Sequence, residues 1–170
     1  MNGRTRVVGW VVAVAALLFC GFSGWVYWET RDDDALTFSA SRDAALSAGR
    51  ERVAELNTLD VSHTDDGLKV WLDASTGALH DKLESTRATD RTTLARAGTS
   101  ARGTVTDAAL TALDERAGTA SMIATVTVDI TPKGGTATSD RKRFEATLAR
   151  TSDGWKVTAL NAVPVGKGTA

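Results

Sequence analysis

The apolar pattern changes its period twice along the chain. From Val7 to Trp28 there are 22 consecutive residues without a charge. A helix of that length rises roughly 33 Å, enough to cross the hydrocarbon of a bilayer. Trp10 stands near one end of the run, and Trp25, Tyr27 and Trp28 crowd the other, where amphipathic rings favour the two headgroup zones. The run is expected to be a membrane anchor. From Ala35 to Leu59 a helical period takes over. Ala45, Gly49, Val53 and Leu56 form one stripe of mostly small side chains, and Arg42, Arg50, Glu51 and Glu55 lie largely off it. Small residues on a stripe predict that its partner comes close.

A short second helix is expected around Leu68, Val70, Trp71 and Leu72, opened by Ser62 and Asp65 in the spacing of a capping box. A third is expected from Thr76 to Ala97, with Leu79, Leu83 and Leu94 as its apolar points and Arg87 within helical reach of Asp90. From about Thr99 the period falls to two. The first strand is expected to carry Ala101, Gly103, Val105, Asp107, Ala109, Thr111 and Leu113 on one face. The second alternates Met122, Ala124, Val126, Val128 and Ile130 with polar partners, and the third does so with Phe144, Ala146 and Leu148. Ser152-Asp153-Gly154 is a tight hairpin signal, after which Trp155, Val157, Ala159 and Val163 continue one face of the fourth.

Helices followed by a meander predict an α+β domain, about three helices packed on one face of a curved four-stranded antiparallel sheet. The expected division is a cytoplasmic tail at 1–6, a transmembrane anchor at 7–28, a spacer at 29–34, an extracytoplasmic α+β domain at 35–165 and a loose tail at 166–170.

Charge orients this arrangement. Arg4 and Arg6 precede the apolar run with no acid, whereas Glu29, Arg31 and the run Asp32, Asp33 and Asp34 follow it. Basic flanks stay in the cytoplasm, which puts the N-terminus inside and the domain outside. A cleaved signal peptide also has a basic start and an apolar run, with Gly21 and Ser23 as the small residues before a cut. The aromatic continuation to Trp28 favours an uncleaved anchor. Cys20 is the only cysteine, so no disulfide can staple the domain, and Phe19 before it argues against lipoprotein processing. Residues 29–170 carry 18 Lys and Arg against 21 Asp and Glu. With no basic stripe and this balance, nucleic acid is not an expected partner.

Several segments together resemble the Mce-associated membrane proteins, accessory proteins of actinobacterial mammalian-cell-entry lipid transport systems. They are the helix containing Ala45 to Val53 (ALSAGRERV), the segment Leu56–Asp60 (LNTLD), Val70–Gly77 (VWLDASTG), Arg102–Leu110 (RGTVTDAAL) and Asp153–Val157 (DGWKV). The chain departs from the commoner pattern at Val61, where an aromatic often follows the aspartate. The resemblance implies a cystatin-like cone, the fold of SnoaL-like enzymes and of scaffold subunits of type IV secretion machines. It implies no enzymatic role.

The same cone can host catalysis, so the chemistry must be read from residues. Tyr27, in the apolar run, is the only tyrosine, and His63 and His80 are the only histidines. His63 is expected as an exposed turn residue beside Ser62, and His80 as a surface ion-pair partner near Asp81 and Glu84. Asp107 and Asp129 are acids at strand positions, for which solvent exposure is the better expectation. No H-E-x-x-H spacing, P-loop, dinucleotide fingerprint or G-x-S-x-G elbow occurs. No catalytic, cofactor-binding or metal-ligating residue is therefore expected, and no cofactor. Trp71 and Trp155 are expected in the core.

The expected function is that of a non-enzymatic accessory subunit of an Mce-type lipid-import complex. Its expected partners are the membrane, other envelope subunits and a lipid. Two alternatives are a scaffold of a conjugation or type IV secretion-like machine, and a membrane-tethered cone domain that binds a lipid or another small molecule.

Overall fold

The computed structural model describes Cys20, residues 23–25 and residues 36–164. The chain divides into two units, Met1–Ala40 and Ser41–Ala170. In the first unit Cys20, residues 23–25 and residues 36–40 are helical. Apart from those first four residues, the apolar run 7–28 lies outside the described residues. Among the described residues no helix is long and apolar enough to cross a membrane.

The second unit begins with helix α1 (residues 41–56). A 3₁₀ turn at Val61–His63 leads into α2 (Thr64–Ala74) and then α3 (Gly77–Ala97). Four strands follow: β1 (Thr99–Asp114), β2 (Thr119–Pro132), β3 (Thr138–Thr151) and β4 (Gly154–Ala162). They form one antiparallel sheet in the order β1-β2-β3-β4, the meander that the period-two pattern predicts.

The stripe on α1 meets the sheet as its small residues require. Ala45 and Val53 are fully buried against Met122, Val126 and Leu148 in one core cluster. Gly49 lets the helix backbone come so near that a side chain there would collide with Met122 Sδ and with Leu148 Cδ1. The second strand alternates strictly, and the third does so from Phe144 to Leu148. Met122, Ala124, Val126 and Val128 face the core beside Phe144, Ala146 and Leu148, while Ile123 is 51% exposed on the other face.

Several sequence expectations need correction. The face of β1 is not continuous, because irregularities between Val105 and Asp107 and between Leu110 and Ala112 each insert a residue. A bulge reverses the side-chain parity beyond it. Ala108 and Leu110 therefore pack against the core, and Asp107, Ala109 and Thr111 are exposed. In β4 the same event between Thr147 and Leu148 of its partner turns Leu160 inward instead of Ala159, and Val163 is 42% exposed. The third correction concerns the start of the second helix. Asp60, not Ser62, supplies the cap, its carboxylate accepting from Ser62 N at 2.9 Å, and no side chain caps α2 itself.

The helix connections close the sheet edges where they pass. Leu59 and Ala101 exchange backbone hydrogen bonds of 2.7 and 2.8 Å on the outer side of β1. On the opposite edge Thr76 N donates to Val157 O at 2.9 Å, beside the bridge from Ser75 to Val157. Helix α3 buries no residue completely. It lies against α2 and β4 and ends at Gly98, whose φ of 61° is the left-handed conformation that glycine adopts without strain. The expected Arg87–Asp90 pair is replaced by other contacts. Asp90 accepts from Thr86 Oγ1 at 2.6 Å, and Arg91 reaches across to Asp65 of α2 at 2.8 Å.

Candidate functional site

The end of α1, the 3₁₀ turn and the outer edge of β1 enclose an open groove of about 710 Å³. The sequence builds it in three steps. Helix α1 runs out at Asn57 and Thr58, whose amides turn back to Ala54 O and Glu55 O. Trp71 of α2 then donates from Nε1 to Glu55 O at 3.1 Å, as a second donor there, and to Thr58 O at 2.9 Å. Trp71 is thus half-buried and ties α2 to α1, a polar anchor where a core ring is expected. Finally Gly103 N donates to Thr58 Oγ1 at 3.0 Å, which fixes the connection on β1.

The floor of the groove is apolar, with Ala54, Leu59, Ala101 and the 40% exposed Val70. Its walls are acidic. Glu51, Glu55, Asp60, Asp66 and Asp129 line it against one guanidinium, Arg102. Arg52 lies 2.7 Å from Glu55 and 3.9 Å from Glu51, and His63 Nδ1 lies 3.2 Å from Asp60. Among the described residues no ion pair engages Asp66, Asp129 or Arg102, although register sets Arg102 opposite Asp129.

Asp60 organises one end of the groove. The Ser62 amide, and after it the hydrogen bond with His63, holds its carboxyl below the ordinary value of 3.8. A carboxylate depressed on folding stabilises the fold above its unfolded value, and that contribution is lost as the pH falls through the lower folded value. Asp60→Asn keeps a cap but cannot titrate. The difference in melting temperature between wild type and Asp60→Asn is therefore expected to shrink steadily as the pH is lowered from about 5 to about 2. A difference that does not change over that range contradicts the role assigned to this carboxylate.

The candidates read from sequence separate in space. His63 is exposed on its Asp60 partner. Ser100 Oγ is nearby, but it lies 3.4 Å from Asp60 Oδ1 and accepts from Val61 N. A nucleophile relay needs the hydroxyl on the imidazole, so this trio is not arranged as one. His80 is not the surface ion-pair partner its neighbours suggest, since its Nδ1 lies 3.1 Å from Leu72 O, at the end of α2. Asp107 is exposed, 3.4 Å from Arg141, and Asp129 is exposed in the groove wall. Trp155 is buried, with Arg150 stacked 5.0 Å from its ring centroid. Tyr27 lies outside the described residues. Among the described residues no group of three His, Cys, Asp or Glu is placed to hold a metal ion, and every buried side-chain nitrogen or oxygen has a partner.

The groove itself was not readable from the sequence. Glu51 and Glu55 look like an ordinary solvated helix face, and only the crossing of α1 over β1 brings them near Asp129. The usable signal was Asn57-Thr58-Leu59-Asp60, a polar stop after an apolar stripe.

Comparison with known proteins adds three findings. The family described as "Uncharacterized protein Rv1363c/MT1408-like" matches residues 5–164. The protein "Uncharacterized protein Rv1363c" of Mycobacterium tuberculosis is 24% identical over 158 residues, which are 90% of this chain and 59% of that protein's length. Among solved structures, an IcmL-like type IV secretion system protein from Legionella pneumophila superposes over 74% of this chain and 94% of its own, at 13% identity and a TM-score of 0.60. The periplasmic domain of DotI does so over 72% and 95%, at 10% identity and 0.59. CagV of Helicobacter pylori, described as a VirB8 homologue, covers 72% and 98% at 11% and 0.56. At these identities the likeness is one of fold.

Proposed function

This chain belongs to the Rv1363c/MT1408-like family, and we propose that it is a membrane-tethered, non-enzymatic scaffold subunit of a multi-protein machine in the cell envelope. The observation that carries this reading is the fold. Helices on one face of a four-stranded meander match, over about three quarters of the chain, proteins whose names place them in secretion machines. The apolar run 7–28 supplies the tether. The groove adds a surface where the domain can hold a partner, while the Ser100–Asp60–His63 geometry offers no relay for chemistry.

Of the machines weighed, a conjugation or secretion apparatus has the support of the structural neighbours. An Mce-type lipid-import complex has the support of the sequence segments from Ala45 to Val157, and is the second reading. Affinity capture of the full-length chain from solubilised membranes distinguishes them. Recovery with stoichiometric subunits of a secretion or conjugation machine is expected, recovery with lipid-import subunits favours the second reading, and recovery of the chain alone overturns the scaffold.

The proposed topology puts residues 29–170 outside the cell. In a Cys20→Ser background, Ser85→Cys and Thr138→Cys are expected to react with a membrane-impermeant thiol reagent on intact cells. Labelling that requires lysis reverses the orientation. Both positions are exposed in the domain, so accessibility alone does not limit the reaction.

A further inference from the structure

We propose that the groove between α1, α2 and the β1 edge is the docking surface for a basic, partly apolar segment of another subunit. This inference rests on the scaffold reading and names the partner's chemistry.

Three observations lead to it. First, the groove has an apolar floor open to solvent. Val70 is 40% exposed on it although its neighbours Leu68 and Leu72 are buried on the other side of the same helix. A partner with apolar side chains gains by covering Val70, Ala54 and Ala101. Second, the walls carry five carboxylates against one guanidinium, whereas the whole chain is nearly balanced at a net charge of −1. Third, the acids are unequally matched. Arg52 already serves Glu51 and Glu55, and His63 serves Asp60. Asp66 and Asp129 line the groove outside any ion pair among the described residues, which selects lysine or arginine side chains on the occupant.

The β1 edge is already paired at Ala101 by Leu59, and Gly103 N is held by Thr58. The occupant therefore adds no strand to the sheet there. It lies on side chains, with specificity from charge. The same walls disfavour an anionic lipid surface.

Another open hollow, about 470 Å³ around Ile123 and Val163, has mixed charge from Asp107 and Arg143 and serves as the internal control. In cells, the full-length chain carries Val70→p-benzoylphenylalanine or, as control, Ile123→p-benzoylphenylalanine, and adducts formed on irradiation are sequenced by mass spectrometry. Expected at Val70 is an adduct to a segment of another protein with net positive charge and interspersed apolar residues. Combining the Val70 probe with Asp66→Asn and Asp129→Asn is expected to lower its yield at least about fivefold, since both acids act by charge. These two side chains are exposed and form no ion pair among the described residues, and the Asp129→Asn single variant gives the same readout should the double variant misfold.

A neutral or acidic segment, a second copy of this chain, a lipid adduct, a yield no greater than at Ile123, or a yield unmoved by the Asn variants overturns the inference. If no adduct forms at Val70 while the chain still co-purifies with its subunits, the groove inference fails and the scaffold reading stands. A chain that purifies alone removes the scaffold reading and this inference with it.

Discussion

Trp155→Ala is expected to destabilise the domain by about 3–5 kcal/mol, the usual range for deleting a large buried ring. The indole is 6% exposed and belongs to the cluster that contains Leu148, Val157 and Ala120. It stands near the hairpin end of the sheet, paired with Arg150 across the β3–β4 ladder. There the guanidinium covers the ring, with its centre 5.0 Å from the centroid, an arrangement that adds cation–π attraction to burial. Removing the ring leaves a cavity under Arg150 and strips the arginine of its platform. Chemical denaturation followed by a signal other than tryptophan fluorescence measures the loss. Trp155→Phe should recover part of it, because the benzene ring fills part of the cavity. A cost below about 1 kcal/mol for the alanine variant contradicts the core placement, since surface changes fall in that range.

Trp71 and Trp155 looked alike in the sequence, each in an apolar segment, and the structure assigns them different work. Trp155 follows a hairpin signal on a strand whose alternation is clear for its first residues, so its burial was readable. Trp71 acts through its N–H on carbonyls of another helix, a tertiary contact with no local mark. The strands show the same division. β2, and β3 from Phe144 to Leu148, were legible because neither stretch is interrupted. In β1, by contrast, Thr106 and Thr111 are ordinary strand residues, and nothing about them announces a bulge. The first such shift moved Asp107 and Ala109 outward and Ala108 and Leu110 inward, and the second returned Leu113 to the core face. Alternation tells which face a residue occupies only while pairing stays in register. For the groove, the composition of each wall was visible, but their meeting depends on the angle at which α1 crosses the sheet.

That crossing makes the second large effect. Gly103→Ala is expected to destabilise the domain by about 1–3 kcal/mol, the typical cost of overpacking, even though alanine suits a strand better than glycine does. Gly103 has no unusual backbone conformation among the described residues, so the penalty comes entirely from crowding. A methyl group placed there would stand 2.6 Å from Asn57 Cβ and 3.1 Å from both Ala54 O and Asn57 O. Two of these three neighbours are backbone atoms at the end of α1, which the Trp71 and Thr58 hydrogen bonds hold in place. They cannot turn aside as a rotamer can. Gly49→Ala meets only the ends of Met122 and Leu148 side chains, and methionine adapts to irregular space. The expected order is therefore a larger loss at Gly103 than at Gly49. In a double-mutant cycle, Asn57→Gly should relieve part of the Gly103→Ala penalty, because it removes the Cβ contact and leaves the two carbonyls. Equal losses at both glycines, or no coupling to Asn57, contradict the close passage of α1 over β1. The groove depends on that same passage, so Gly103→Ala is also expected to reduce adduct formation from the Val70 position in whatever protein remains folded.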